Sequence, residues 1–209
     1  MREASKLFLQ KLLSAPGPSG YEGPVRDVWQ DEVGNYADEI TTDIHGNAIA
    51  SLRAKGSPRV MLAGHMDELG FQIIHIDEKG YLFFETIGGF DLGIVPGRKV
   101  RVHTEEGPIL GVLGKKPIHL MSADERKKIP EKHDLWIDIG VSDGIEAKDI
   151  ISIGDPVTYD TNFEMLRNDM IVSRATDNKA GAWVVAEAMR RVASNRKKPK
   201  AALYSVATV

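Results

Sequence analysis

The sequence predicts an incomplete α/β/α sandwich that is interrupted by an inserted small antiparallel β-barrel. At both ends of the chain, in residues 1–68 and 166–209, amphipathic helical segments alternate with nearly continuous apolar runs. Such runs are typical of strands whose sheet is covered by helices on both faces. Residues 69–165 differ, because short strands follow one another at regular intervals with glycine turns between them, as in a small barrel. We therefore expect a discontinuous α/β domain and an inserted barrel domain.

The composition of the 209-residue chain excludes several classes of protein. Its net charge of −3 gives no reason to expect a nucleic acid or a membrane as a partner. It has no cysteine, so disulfides and thiolate metal sites are excluded, and any metal must be bound by His, Asp or Glu. We find no apolar segment of signal-peptide or membrane-span length, and we expect a cytoplasmic protein.

Two helices are expected at the start of the chain. The apolar spacing predicts the first over residues 3–15, where a segment rich in proline and glycine follows. Ser19 and Glu22 have the spacing of a capping box and predict a second helix that continues to about Val33. The positions expected on the buried faces are Leu7, Leu9, Leu12 and Leu13 in the first helix and Val25, Val28, Trp29 and Val33 in the second.

Strands follow in both predicted domains. Residues 59–63 are too apolar to alternate and are predicted to form a central strand covered on both faces. Residues 200–209 are expected to form another buried strand, preceded by a helix over 178–192 and a solvated loop over 196–200. The other expected segments are strands 39–43, 47–52, 71–76, 81–87, 99–103, 108–113, 134–139 and 151–159, a helix over 144–150 and a long polar loop over 115–134.

The first candidate site lies where the strand 59–63 ends. His65 and Asp67 follow Gly64 there, and a neutral imidazole can bind zinc or cobalt through one ring nitrogen. The other nitrogen is usually oriented by an acceptor, and Asp67 is close enough in sequence to provide it. A His-x-Asp pair that stands alone is more often a satisfied polar pair at a strand end, so this motif by itself does not define a metal site.

The second candidate is Asp177, which lies where an irregular segment enters the helix 178–192. Its carboxylate could simply cap that helix. It could also bridge two cations roughly 3.5–4 Å apart, which would polarise a carbonyl and activate a shared water. Because His65 and Asp67 also follow a predicted buried strand, and open α/β sheets place their chemistry at the carboxyl ends of strands, the second interpretation gains specificity.

Six motifs in order along the whole chain resemble those of the tetrahedral, or deblocking, aminopeptidases. These form metallopeptidase family forty-two, are related to glutamyl aminopeptidases and are often labelled cellulase or endoglucanase. The matching segments are residues 15–22, 43–47, 63–71, 136–140, 154–157 and 175–181.

The resemblance implies a zinc-peptidase-like catalytic sandwich that holds two divalent ions, zinc or cobalt, per subunit of the complete enzyme. It implies hydrolysis of N-terminal residues from short peptides, and a barrel that joins subunits into homodimers and assemblies up to a dodecamer. By position, His65 would bind one metal, Asp67 would be the catalytic-site carboxylate that supports it, and Asp177 would bridge both metals. The other five histidines match no ligand position.

The chain departs from the family pattern at its end. In the family, the strand after the Asp177 helix leads into a Glu-Glu pair, which supplies the general base and a ligand, and a carboxylate and a histidine follow later. Here the sequence ends at Val209, where the pair would begin. We therefore expect a C-terminally truncated chain with weak or absent metal occupancy and no turnover on its own. We also expect its last strand to lie without neighbours at an exposed sheet edge.

Three alternatives remain open. A related metallo-carboxypeptidase or deacylase would share the metal site, but the inserted barrel and the segment 177–179 argue against it. A non-catalytic self-assembling fragment would use only the barrel. A glycosidase would need a paired-carboxylate constellation, and none supports it.

Overall fold

The computed structural model describes residues 1–196 and 199–209. Lys197 and Lys198, in the predicted solvated loop 196–200, lie outside the described residues. In chain order the elements are α1 (Glu3–Ser14), α2 (Gly23–Val33), β1 (Glu39–Thr42), β2 (Ala48–Leu52), β3 (Arg59–His65), β4 (Gly70–Ile76), β5 (Leu82–Ile87), β6 (Lys99–Thr104), β7 (Gly107–Lys115), β8 (Leu135–Asp138), α3 (Gly144–Ile150), β9 (Pro156–Tyr159), β10 (Glu164–Met165), β11 (Ile171–Val172), α4 (Thr176–Ala193) and β12 (Ala202–Thr208).

The chain divides into two compact units. The first consists of Met1–Glu68 and Asn162–Val209, and the second of Leu69–Thr161. The sequence placed the second boundary after residue 165, whereas residues 162–165 belong to the first unit in the structure. Their placement follows from pairing, because β10 forms an antiparallel ladder with β11. In the described part of the chain, no helix has the length and apolar character needed to cross a membrane.

The first unit contains a four-stranded sheet in the order β1-β2-β12-β3. β12 pairs antiparallel with β2 and parallel with β3, so it lies inside the sheet. The prediction that this last strand would lack neighbours is therefore wrong. The prediction that β3 would be central and covered on both faces is also wrong, since β3 is an edge strand among the described residues.

The burial pattern of β3 shows why its apolar sequence suggested a central strand. Leu62 packs against the core and Gly64 against α4, whereas Val60 and Met61 are 41% and 68% exposed. A continuous apolar run therefore does not distinguish a strand covered on both faces from one covered by a helix on a single face.

The helices of the first unit pack into one core with the sheet. In α1 the buried positions are Ser5, Phe8, Leu9, Leu12 and Leu13, which follow the helical period, and Leu7 falls outside this stripe and is half exposed. The predicted buried face of α2 is correct for Val25, Trp29 and Val33, and Val28 is partly buried.

The predicted capping box of α2 does not form. Glu22 is the N-cap residue and its carboxylate accepts a hydrogen bond from the Gly20 N–H, at 2.6 Å. The Ser19 hydroxyl donates instead to Asp67, 48 residues away. The spacing of Ser19 and Glu22 was therefore a local signal that a tertiary contact overrides.

The second unit is a closed barrel in the order β4-β5-β8-β7-β6-β9, in which all neighbouring strands are antiparallel. Phe71 lies at the centre of its core and contacts the rings of Phe84, Phe90 and Tyr159. The mixed α/β fold with an antiparallel barrel is confirmed. The loop 115–134 contains three short 3-10 segments, and the predicted strand 151–159 begins only at Pro156.

Candidate metal centre

The three candidate residues meet within the first unit. His65 is the last residue of β3, Asp67 follows two residues later, and Asp177 lies in the first turn of α4. The Nδ1 atom of His65 is 2.9 Å from Asp67 Oδ1, and its Nε2 atom is 3.1 Å from Asp177 Oδ1. Both ring nitrogens therefore face carboxylate oxygens, although Asp177 is 112 residues away in the chain.

Asp67 is fixed from its other side by a residue that sequence reasoning assigned elsewhere. The Ser19 hydroxyl donates a hydrogen bond of 2.6 Å to Asp67 Oδ2, which leaves Oδ1 facing the imidazole. The contact between His65 Nδ1 and Asp67 Oδ1 is short but does not have the geometry of a hydrogen bond. The only available hint was that Ser19 belongs to one of the recognised motifs.

Asp177 does not cap α4. Its backbone is not helical, with φ −90° and ψ 109°, and the Asp177–Asn178 peptide bond is cis. The Asn178 side chain takes the capping role, because its Oδ1 accepts a hydrogen bond from the Gly181 N–H at 3.1 Å. The Asp177 carboxylate is 97% exposed and is thus accessible to a ligand.

The separation of the donor atoms agrees with metal binding. Two ligand atoms on one tetrahedral zinc, with bond lengths near 2.0–2.1 Å, lie about 3.3 Å apart. The 3.1 Å between His65 Nε2 and Asp177 Oδ1 is close to this value, and it is also the length of a hydrogen bond between the two side chains. Within residues 1–196 and 199–209, however, no group of three His, Cys, Asp or Glu side chains converges on a common point. The residues present thus fit as two donors of a metal and not as a full set.

A buried cluster of charges adjoins these residues and was not anticipated. Glu68, Arg174 and Lys179 have side chains only 3%, 8% and 0% exposed. Lys179 Nζ donates to Glu68 Oε1 at 2.7 Å, and Arg174 Nε lies 3.0 Å from Glu68 Oε2. Burial lowers the pKa of Lys179, and the neighbouring Glu68 carboxylate acts in the opposite direction.

The same cluster binds the backbone at the end of α1 and in the loop that follows it. Lys179 Nζ donates to the Ala15 carbonyl and Arg174 Nη2 to the Ser14 carbonyl, both at 2.7 Å. Glu68 Oε1 also accepts from the Gly17 N–H at 2.9 Å. Glu68 and Lys179 are 111 positions apart, so no sequence periodicity relates them. Their presence in two of the family motifs was the one sequence feature that drew attention to them.

The fold defines the class of protein. A mixed α/β unit interrupted by a closed barrel is the architecture of tetrahedral aminopeptidases, and the structure is similar to that of the TET aminopeptidase from Thaumarchaeota archaeon SCGC AB-539-E09. The TM-score is 0.94 at 35% identity, over 99% of this chain and 59% of that one. The family model described as M42 glutamyl aminopeptidase matches residues 46–209. The chain belongs to this family, which confirms the resemblance found in the sequence.

Two further proteins show how much of a family member is present. The lysyl aminopeptidase of Pyrococcus furiosus is 33% identical over 206 residues, which cover 97% of this chain and 58% of the relative. The Pyrococcus horikoshii TET1 peptidase, which can assemble into a tetrahedron or a large octahedral shell, is 31% identical with a TM-score of 0.87, over 98% of this chain and 61% of that one. The chain therefore spans about three fifths of the length of these proteins.

Proposed function

We propose that this chain carries part of the metal centre of a dinuclear, zinc- or cobalt-dependent aminopeptidase that acts on short peptides. In this proposal His65 would hold one ion, Asp177 would be shared between two ions and Asp67 would orient His65. The observation that carries it is the placement of the imidazole between the two carboxylates, 2.9 and 3.1 Å from their oxygens. Membership of an aminopeptidase family supports the reaction class.

Each residue has a role that follows from its contacts. When bound, the ions would polarise the scissile carbonyl and lower the pKa of a water molecule. The Asp67 carboxylate lies against Nδ1 and would orient the imidazole ring from that side, with Nε2 facing Asp177. The Ser19 hydroxyl keeps Asp67 in that orientation. The exposed Asp177 can offer one oxygen to each of two ions.

We further propose that the 209-residue chain alone binds metal weakly and does not hydrolyse peptides, because the described residues supply only two metal donors. The test is an assay of Leu-p-nitroanilide hydrolysis with excess Co²⁺. We expect no turnover above that of His65→Ala. Turnover that depends on His65 would refute the proposed inactivity.

The aminopeptidase reaction can be tested with a chimera. Residues 1–209 would be joined to the part of P. furiosus lysyl aminopeptidase that lies beyond its match, since the match covers 58% of that protein. We expect hydrolysis of peptides with a free amino terminus and none of N-acetylated peptides, with activity lost in Asp177→Asn. Equal or faster hydrolysis of the blocked peptides would instead favour a deacylase or a carboxypeptidase.

We also propose that the barrel unit mediates self-association, from a homodimer up to a dodecamer. Leu110 and Val112 support this, because they alternate with buried residues of β7 and are 45% and 42% exposed on its outer face. The TET1 peptidase of P. horikoshii forms closed assemblies. Light scattering should show an oligomer that Leu110→Lys with Val112→Lys reduces in mass. An oligomer that persists without any metal affinity would favour the non-catalytic module.

A further inference from the structure

The buried Glu68–Lys179–Arg174 cluster contacts every segment that carries a candidate site residue. Glu68 directly follows Asp67, and Arg174 and Lys179 stand three residues before and two residues after Asp177. Arg174 and Lys179 donate hydrogen bonds to Ser14 and Ala15 at the end of α1, and the loop that follows leads to Ser19, which donates to Asp67. One cluster thus joins three segments that are far apart in the sequence.

A contribution to the free energy of unfolding is a weak explanation for the presence of a buried cluster of charges. Replacing a buried ion pair by apolar side chains of similar volume is often neutral or stabilising, whereas its directional bonds can fix one arrangement of the backbone. Here those bonds act on a part of α4 that has no regular helical geometry, since Asp177 and Asn178 have non-helical dihedral angles. Arg174 and Lys179 make these contacts on either side of the non-helical residues Asp177 and Asn178.

We propose that Glu68, Lys179 and Arg174 are positioning residues that set the separation between His65 Nε2 and Asp177 Oδ1. This inference rests on the proposed metal-binding role of His65 and Asp177. The cluster touches neither side chain directly. It acts by holding the backbone on both sides of the 3.1 Å gap between the two donor atoms.

The test compares Lys179→Met with a matched control on the same helix. Arg190 forms a second buried ion pair with Glu187, at 2.8 Å, and contacts none of the candidate site residues. Arg190→Met therefore removes a buried cation from α4 without touching the cluster. Both variants should unfold at lower denaturant concentrations than the original chain.

The deciding measurement does not depend on metal. The ¹⁵N chemical shifts of the His65 ring nitrogens, recorded at one fixed neutral pH, report their contacts with Asp67 and Asp177. We expect Lys179→Met to change these shifts and Arg190→Met to leave them unchanged. Unchanged shifts in Lys179→Met, or equal changes in both variants, would overturn the proposal. If Lys179→Met does not fold, Glu68→Gln, which keeps the side-chain shape, replaces it under the same criteria.

Co²⁺ titration separates this proposal from the proposed function. Lys179→Met should weaken Co²⁺ binding by about tenfold, as is typical when partners that orient metal ligands are removed. Arg190→Met should leave the affinity unchanged. If the original chain binds no Co²⁺ while the His65 shifts respond as expected, the proposed metal role fails and the positioning role stands. If Co²⁺ binds equally well to both variants and the original chain, the positioning role fails.

Discussion

Gly64 offers a direct test of how closely β3 approaches α4. A Cβ atom added at this position would lie 2.5 Å from the Gly181 carbonyl carbon and 2.6 Å from the Ala182 nitrogen. Both neighbours are backbone atoms, which cannot move away by a change of rotamer. Gly64→Ala therefore requires the strand and the helix to separate by roughly an ångström to restore ordinary carbon contacts.

The expected cost follows from this geometry. Overpacking a core typically costs about 1–3 kcal/mol, and a backbone obstacle places Gly64→Ala near about 3 kcal/mol. For a chain of this size, that lowers the midpoint of thermal unfolding by about 6–12 °C. Because His65 is the next residue, the same displacement moves its imidazole away from Asp177, and Co²⁺ affinity should fall as well.

The assay is urea unfolding followed by circular dichroism, together with Co²⁺ titration. Gly23→Ala is the matched control in the same unit, because its added Cβ would meet only the Arg26 guanidinium at 4.0 Å. The control should stay within about 1 kcal/mol of the original stability. If Gly64→Ala proves as stable as Gly23→Ala and binds Co²⁺ like the original chain, the close approach of β3 and α4 is refuted.

Three further predictions concern single contacts. Ser19→Ala frees Asp67 Oδ2 and should weaken Co²⁺ binding in titration with little loss of stability, and an unchanged affinity would contradict this. Trp29→Phe removes the buried hydrogen bond to the Ala182 carbonyl and should cost about 1–3 kcal/mol in urea unfolding. The hydrogen bond from Lys116, with further ones from Ser122, lowers the pKa of Glu125 from 4.5 to about 2, so the carboxylate stays ionised and this contact persists until the pH falls toward 2. Lys116→Ala should raise that pKa in an NMR titration.

Sequence periodicity was sufficient to predict the helices and strands that depend on local patterns. The stripe of α2, the barrel strands β4 to β8 and the helix Gly144–Ile150 follow from spacing and turn residues, whereas β9 is shorter than predicted. The position of a strand within its sheet does not, because pairing is a contact between distant segments. For this reason the apolar runs of β3 and β12 gave no indication that β12 is the interior strand and β3 the edge.

The candidate site shows the same limit. His65 and Asp67 are neighbours in sequence, and their contact could be expected from spacing. Asp177 was linked to them by the expectation that an open α/β sheet places its chemistry at the carboxyl ends of its strands, and by the family resemblance, since no local pattern connects residues 112 positions apart. The partners of Ser19, Glu68 and Lys179 were missed because the Ser19–Asp67 hydrogen bond and the buried Glu68–Lys179 ion pair are both contacts between distant segments, which tertiary packing defines.

The exposed edge at β3 has a consequence for how solutions of this chain behave. Among the described residues, β3 pairs on one side only, and Val60 and Met61 are exposed along it. A free strand edge is a template for open-ended growth, since each added copy can present another edge, whereas symmetric interfaces close into particles of fixed size. Concentrated samples should therefore form polydisperse β-rich aggregates, and Met61→Lys should suppress them without changing the mass of any closed oligomer.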